Sequence, residues 1–162
     1  MTIDDHTVED YRSLARQLAA LLGDERDWLI NVSQLNAFIF EQLPDLNWAG
    51  VYLLRAGQLK LGPFQGKVAC THIPLDKGVC GAAARTGEVQ RVEDVHAFPG
   101  HIACDAASRS EVVVPLKTPE GQLWGVLDLD SPLPARFTET DATGIALLAD
   151  TFLQHTELPR LD

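Results

Sequence analysis

The sequence predicts an α+β fold: an antiparallel sheet with N- and C-terminal helices on one face, leaving the other face free to line a pocket. Three observations carry this. Helix-period segments stand near both ends of the chain. Between them lie short segments with period-two alternation, joined by tight turns rather than by crossover helices. The alternation also gives the two faces of the strands different chemistry. A chain of 162 residues is long enough for one domain with its own core, and no repeat, low-complexity run or linker divides 1–162.

The first helix is expected over Val8 to Leu22, ending at Gly23, a usual terminator. The second begins near Asp27, carries Trp28, Val32, Leu35 and Ile39 at helical spacing, and ends before Pro44. "WAGVYLLR" then reads as a strand, "AGQ" as a turn and "LKLG" as the returning strand. "KVACTHIP" is expected to be a third strand, "KGVCGAAARTGE" a loop and short helix, and "VQRV" a short strand. Glu93 to Ser110 shows little periodicity, and a loop of that length in a compact domain is usually functional. "EVVVPLKT", the turn "PEGQ" and "LWGVLDLD" form a hairpin. The last helix starts at "FTETD", where Thr138 and Asp141 resemble a capping box, and it buries Ile145, Leu148, Ala149 and Phe152.

Alternation assigns faces. Ala49, Val51 and Leu53 share one side of their strand, with Trp48, Gly50, Tyr52 and Leu54 on the other. On the last strand, Leu123, Gly125, Leu127 and Leu129 oppose Trp124, Val126, Asp128 and Asp130. The leucine sides are expected to meet the helices. The opposite side gathers aromatic rings and carboxylates, and Glu111 opens the neighbouring strand close to both aspartates. Two readings stay open. The acids either point into water from a half-exposed sheet, or form a cluster for an ammonium group, since like charges buried together need a cation. Trp48 and Tyr52 are likewise either packing residues or a ligand wall.

The formal net charge of -10 argues against nucleic acid or an anionic membrane as a partner. No run approaches the length of a membrane helix, and "MTIDDHTVED" lacks the pattern of a signal peptide. A cytoplasmic protein is expected. The cysteines are Cys70, Cys80 and Cys104, an odd count that suggests no structural disulfide framework. Their spacings match no compact zinc knuckle, although His72, His96 and His101 stand nearby in sequence, so no metal is expected. No nucleophile elbow or phosphate loop is present. Cys104 is placed oddly for a buried structural thiol, in the broken stretch "AFPGHIACDAASRSE".

"NWAGVYLL", "LGPFQGKVAC", "IPLDKGVCGAAARTGEVQRVEDVHAFPGHIACDAASRSEVVVPL" and "WGVLDLDSP" together resemble the free methionine-(R)-sulfoxide reductases, enzymes built on a GAF domain. The resemblance runs from about Asn31 to Phe152, and the block with all three cysteines is its distinctive part. Val51 departs from it, standing where Phe is common, on the side expected to face the helices. The resemblance implies a GAF-like antiparallel sheet with a ligand pocket opposite the terminal helices. It implies Cys104 as nucleophile and Cys70 as the cysteine that resolves it by a disulfide, with Cys80 a second candidate resolver. Its pocket residues carry over as Trp48, Tyr52, Glu111, Asp128 and Asp130. The implied substrate is free methionine sulfoxide, and the implied reductant is thioredoxin or a similar thiol, with no bound cofactor. A homodimer through the first and last helices is the oligomer such domains often form.

The chemistry asks for these residue types. A thiolate attacks the sulfoxide sulfur, and the oxygen needs a proton that a carboxylic acid of raised pKa can give. Arg109, His101 and loop N–H groups are candidates for lowering the Cys104 pKa, and the backbone from Ile102 to Cys104 is a candidate for holding the substrate carboxylate. A non-catalytic GAF sensor is the rival reading, and the complete cysteine block argues against it.

Overall fold

The computed structural model describes residues 6–101 and 104–162. Helices α1 (Val8–Leu22) and α2 (Trp28–Gln42) lead into β1 (Trp48–Arg55), β2 (Gln58–Gly66) and β3 (His72–Ile73). Helix α3 (Gly78–Thr86), β4 (Gln90–Val92) and a 3-10 turn at Val95–Ala97 follow, then β5 (Ser110–Lys117), β6 (Leu123–Ser131) and α4 (Glu139–Gln154). The strands form one antiparallel sheet in the order β3-β2-β1-β6-β5-β4.

The terminal helices pack on one face, as expected. Thr7 and Thr138 each close a capping box, with Asp10 and Asp141 as the reciprocal acids. An aspartate therefore completes the box that glutamate usually completes. Asp27 caps α2 by accepting from the N–H groups of Leu29 and Ile30. The helices bury Leu14, Leu18, Leu35, Ile39, Ile145, Leu148 and Phe152 against Ala49, Val51, Leu53, Val112, Val114, Leu127 and Leu129 of the sheet. Each large apolar side chain removed from water contributes roughly 1.5–3 kcal/mol before entropy is counted. Val51 lies in this layer, away from the opposite face.

Two expectations are corrected. Of "KVACTHIP", only His72 and Ile73 pair with β2, and Gly66, with φ 130, ends β2 just before the segment begins. Lys67–Cys70 therefore runs outside the ladder. Trp124 lies on the helix side, not with the aspartates. The β5–β6 register slips between Leu116↔Gly125 and Lys117↔Leu123, leaving Trp124 as the extra residue of a bulge. Its indole meets Trp28 edge-on at 5.8 Å and donates to the Pro159 carbonyl at 3.1 Å. Below the bulge the alternation runs as expected.

The second face carries a smaller cluster of Trp48, Tyr52, Leu59, Ile73, Val79, Cys80, Ala83, Val113 and Val126. Helix α3 covers part of it. No helix among the described residues is long and apolar enough to cross a membrane.

Candidate active site

Three neighbouring strands build the floor on the face away from the terminal helices. The register sets Asp130 between Trp48 and Glu111, and Asp128 between Gly50 and Val113. Gly50 is required there: a Cβ would collide with Phe64 Cβ and with the Trp48 ring. Its absence lets the Trp48 indole lie along the strand, stacked on Phe64 at 5.3 Å and on Tyr52 at 5.7 Å. The side and mouth come from Val68, Ala69, Val79, Cys80, His101, Cys104, Asp105 and Ser108. The cavity is about 40 Å³, room for roughly three waters.

The water-facing reading of the acids does not hold for Glu111 and Asp128, which are 8% and 5% exposed. Asp130 is partly buried. Burial raises all three carboxyl pKa values, and the neighbouring aspartates raise that of Glu111 further. One oxygen each of Asp128 and Asp130 is buried with no hydrogen-bond partner. The ion pairs among the described residues lie elsewhere. Buried acids without a cation retain protons, and they suit a cationic guest. Donor atoms of Cys80, Glu111 and Asp128 converge to within 4.8 Å of one another. They arrive from α3, β5 and β6, so no local cysteine spacing signals this grouping.

Cys70 and Cys104 are joined in a disulfide, with Cα atoms 5.4 Å apart across 34 residues of sequence. That separation lies in the usual disulfide range. Cys80 is free and buried, and desolvation followed by the charges of Asp128 and Glu111 pushes its thiol pKa up. The cavity brings together Trp48, Tyr52, Cys80, Cys104, Glu111, Asp128 and Asp130. Cys70 joins them through its disulfide and through the Tyr52 hydroxyl, which donates to the Cys70 carbonyl at 3.0 Å. Burial, then Asp128, keeps the Tyr52 phenol well above its ordinary pKa and therefore protonated.

Of the groups considered for activating Cys104, Arg109 is exposed and lines no part of the cavity. Its backbone bridges the sheet to the turn instead, donating to the Ser131 carbonyl and accepting from Val95 N–H. His101 lines the cavity, but desolvation and then His96 lower its pKa, which favours the neutral ring. Ile102 and Ala103 lie outside the described residues, and with them most of the backbone considered for the substrate carboxylate.

Two residues were missed on sequence. Asn47 Nδ2 donates to Asp105 Oδ2 at 2.9 Å and to Ser108 Oγ at 3.0 Å, and Ser108 Oγ donates to Asp130 Oδ2 at 3.1 Å. This chain ties the residue after Cys104 to the carboxylate floor. The signal was only that "SRSE" and "NWAG" belong to distinctive blocks, since the partners are 58 and 61 residues apart.

A family profile for the GAF domain matches residues 30–154. The chain is 51% identical over 140 residues to the free methionine-R-sulfoxide reductase of Escherichia coli, covering 86% of this chain and 84% of that one. The chain belongs to the free methionine-(R)-sulfoxide reductases, a family of GAF domains. Solved structures of this family superimpose closely. The enzyme of Neisseria meningitidis, in complex with its substrate, has a TM-score of 0.87 at 40% identity, covering 96% of this chain and 93% of that one. The reduced form from Staphylococcus aureus gives 0.88 at 42% identity, covering 96% and 99%. Within this family of GAF domains, the cavity described above occupies the sheet face that the terminal helices leave free.

Proposed function

We propose that this protein reduces free methionine-(R)-sulfoxide to methionine, with Cys104 as nucleophile and Cys70 as the resolving thiol. The observation that carries the reading is the placement of the Cys70–Cys104 disulfide beside three cation-deficient carboxylates in one cavity. The names of the close relatives support the same reaction.

In the reduced protein, the Cys104 thiolate attacks the sulfoxide sulfur. Trp48 faces the S-methyl end, where ring and sulfur attract weakly. A protonated acid of the Glu111, Asp128, Asp130 group supplies a proton to the oxygen, and the ionised members hold the substrate ammonium. Burial raises the carboxyl pKa values there and so favours the protonated acid that this step needs. Oxygen passes to the Cys104 sulfur, giving a sulfenic acid, and methionine leaves as the two-electron-reduced product. The Cys70 thiol then attacks that sulfur. The disulfide forms and water carries the oxygen away. A dithiol such as thioredoxin restores both thiols by exchange. Burial beside acids pushes the Cys80 thiol pKa up, which favours Cys70 over Cys80 as the resolver. Recognition of a free ammonium group favours the free amino acid over a peptide-bound residue.

The test supplies free methionine-(R)-sulfoxide and dithiothreitol and measures methionine. Wild type turns over, and Cys104→Ser loses turnover by at least about a thousandfold, the scale of removing a nucleophile. Near-normal turnover by the variant would remove Cys104 from the mechanism. No turnover by wild type on this substrate would favour a sensor.

A further inference from the structure

The segment Lys67–Cys70 lies between β2 and β3 and belongs to no strand. It lies at the protein surface, and Val68 is 88% exposed. Two buried side chains of β1 nevertheless grip both of its ends. Trp48 Nε1 donates to the Lys67 carbonyl at 3.1 Å, and the Tyr52 hydroxyl donates to the Cys70 carbonyl at 3.0 Å. Trp48 and Tyr52 stand four residues apart on one strand face and stack at 5.7 Å, so the two donors are fixed relative to each other. Phe64 also stacks on Trp48 but gives the segment no hydrogen bond.

We infer that Tyr52 and Trp48 are positioning residues for disulfide closure: their O–H and N–H groups hold the Cys70 segment where its thiol meets Cys104. This rests on the proposed roles of Cys104 and Cys70. A segment without ladder bonds would have to search for its target, and fixing it beforehand takes that entropy out of the closing step. The two aromatic rings thus serve both halves of the cycle. Their faces line the cavity, and their polar edges prepare the resolver.

Hydrogen peroxide isolates the closing step, because it needs no recognition by the pocket. The reduced protein's Cys104 thiol reacts with peroxide to give the sulfenic acid and water. The Cys70 thiol then displaces the oxygen as a second water and the disulfide forms. Closure is followed by acid quench, alkylation of free thiols and peptide mapping of Cys70 and Cys104. Tyr52→Phe keeps the ring and is expected to close about three- to tenfold more slowly, the range set by one lost hydrogen bond. More of its sulfenic acid should be trapped by dimedone. Trp48→Phe, lacking the other donor, should also be slower. Phe64→Leu thins the same stack while keeping both donors, and should close within about twofold of wild type. Closure of Tyr52→Phe within about twofold of wild type would overturn the inference. So would equal slowing by Phe64→Leu, which would make packing the cause. If wild type makes no methionine from the sulfoxide yet closes its disulfide with peroxide, the proposed substrate fails while the clamp is still measured.

Discussion

Glu111 shows most sharply how a residue's surroundings give it a task. On β5 it stands opposite Asp130, near Asp128, and out of water. Its carboxyl pKa is raised well above the ordinary 4.5, first by desolvation and then by both aspartates. The native state therefore holds a proton that the unfolded chain releases once pH passes the ordinary value. Stability from this group is complete below about 4.5 and is lost as pH rises toward the raised native value. Glu111→Gln removes the liability. Its stability relative to wild type should rise between pH 5 and pH 8, because only the wild type loses stability as this carboxyl ionises in the unfolded chain. Urea unfolding at the two pH values checks this. An offset that does not change with pH would mean that Glu111 titrates normally. At this scale the sequence showed three acids on one face but not whether water reached them, because burial depends on α3 and the Cys104 loop closing over that face.

Elements were legible where their signals are local. The bounds of α1 and α2 follow from caps and helical spacing, and α4 from its Thr138–Asp141 box. The errors came where a register changes. Trp124 was misplaced because one bulged residue reverses the assignment of a side chain, and nothing local announces a bulge. The composition of the Cys70 segment permits a strand, yet its ladder with β2 stops at His72, and no local signal marks where pairing ends. The packing of α1 on α4 gives a test at this scale. A Cβ on Gly144 would run into the Tyr11 ring, which is held by a 2.6 Å hydrogen bond from its hydroxyl to Asp141 Oδ1. Intrinsic helix preference favours alanine by about 1 kcal/mol. Overpacking a fixed ring costs roughly 1–3 kcal/mol or more. Gly144→Ala should therefore be net destabilising by chemical denaturation. A stabilised variant would mean that α1 can move aside.

Across the whole molecule, the candidate site is assembled from parts far apart in sequence. β1 brings the aromatic wall, β5 and β6 the acids, α3 a buried thiol, and two loops the disulfide-linked cysteines separated by 34 residues. The antiparallel order places β5, β6 and β1 side by side, so one face collects all three acids and both rings. The alternation made that face visible in advance. The pairing of Cys70 with Cys104 came from family resemblance, and the links through Asn47, Ser108 and Tyr52 were hidden because their partners lie in loops without periodicity. The account joins these parts into one two-electron cycle, and single-turnover stoichiometry tests it most directly. Reduced protein, freed of excess thiol, is mixed with free methionine-(R)-sulfoxide, and methionine and cysteine oxidation are counted together. Wild type should release one methionine per chain and end with Cys70 linked to Cys104. Cys70→Ser should release the same single methionine but stop at a Cys104 sulfenic acid that dimedone captures. Methionine released without oxidation of Cys104, or a Cys70–Cys104 disulfide formed without methionine, would contradict the account.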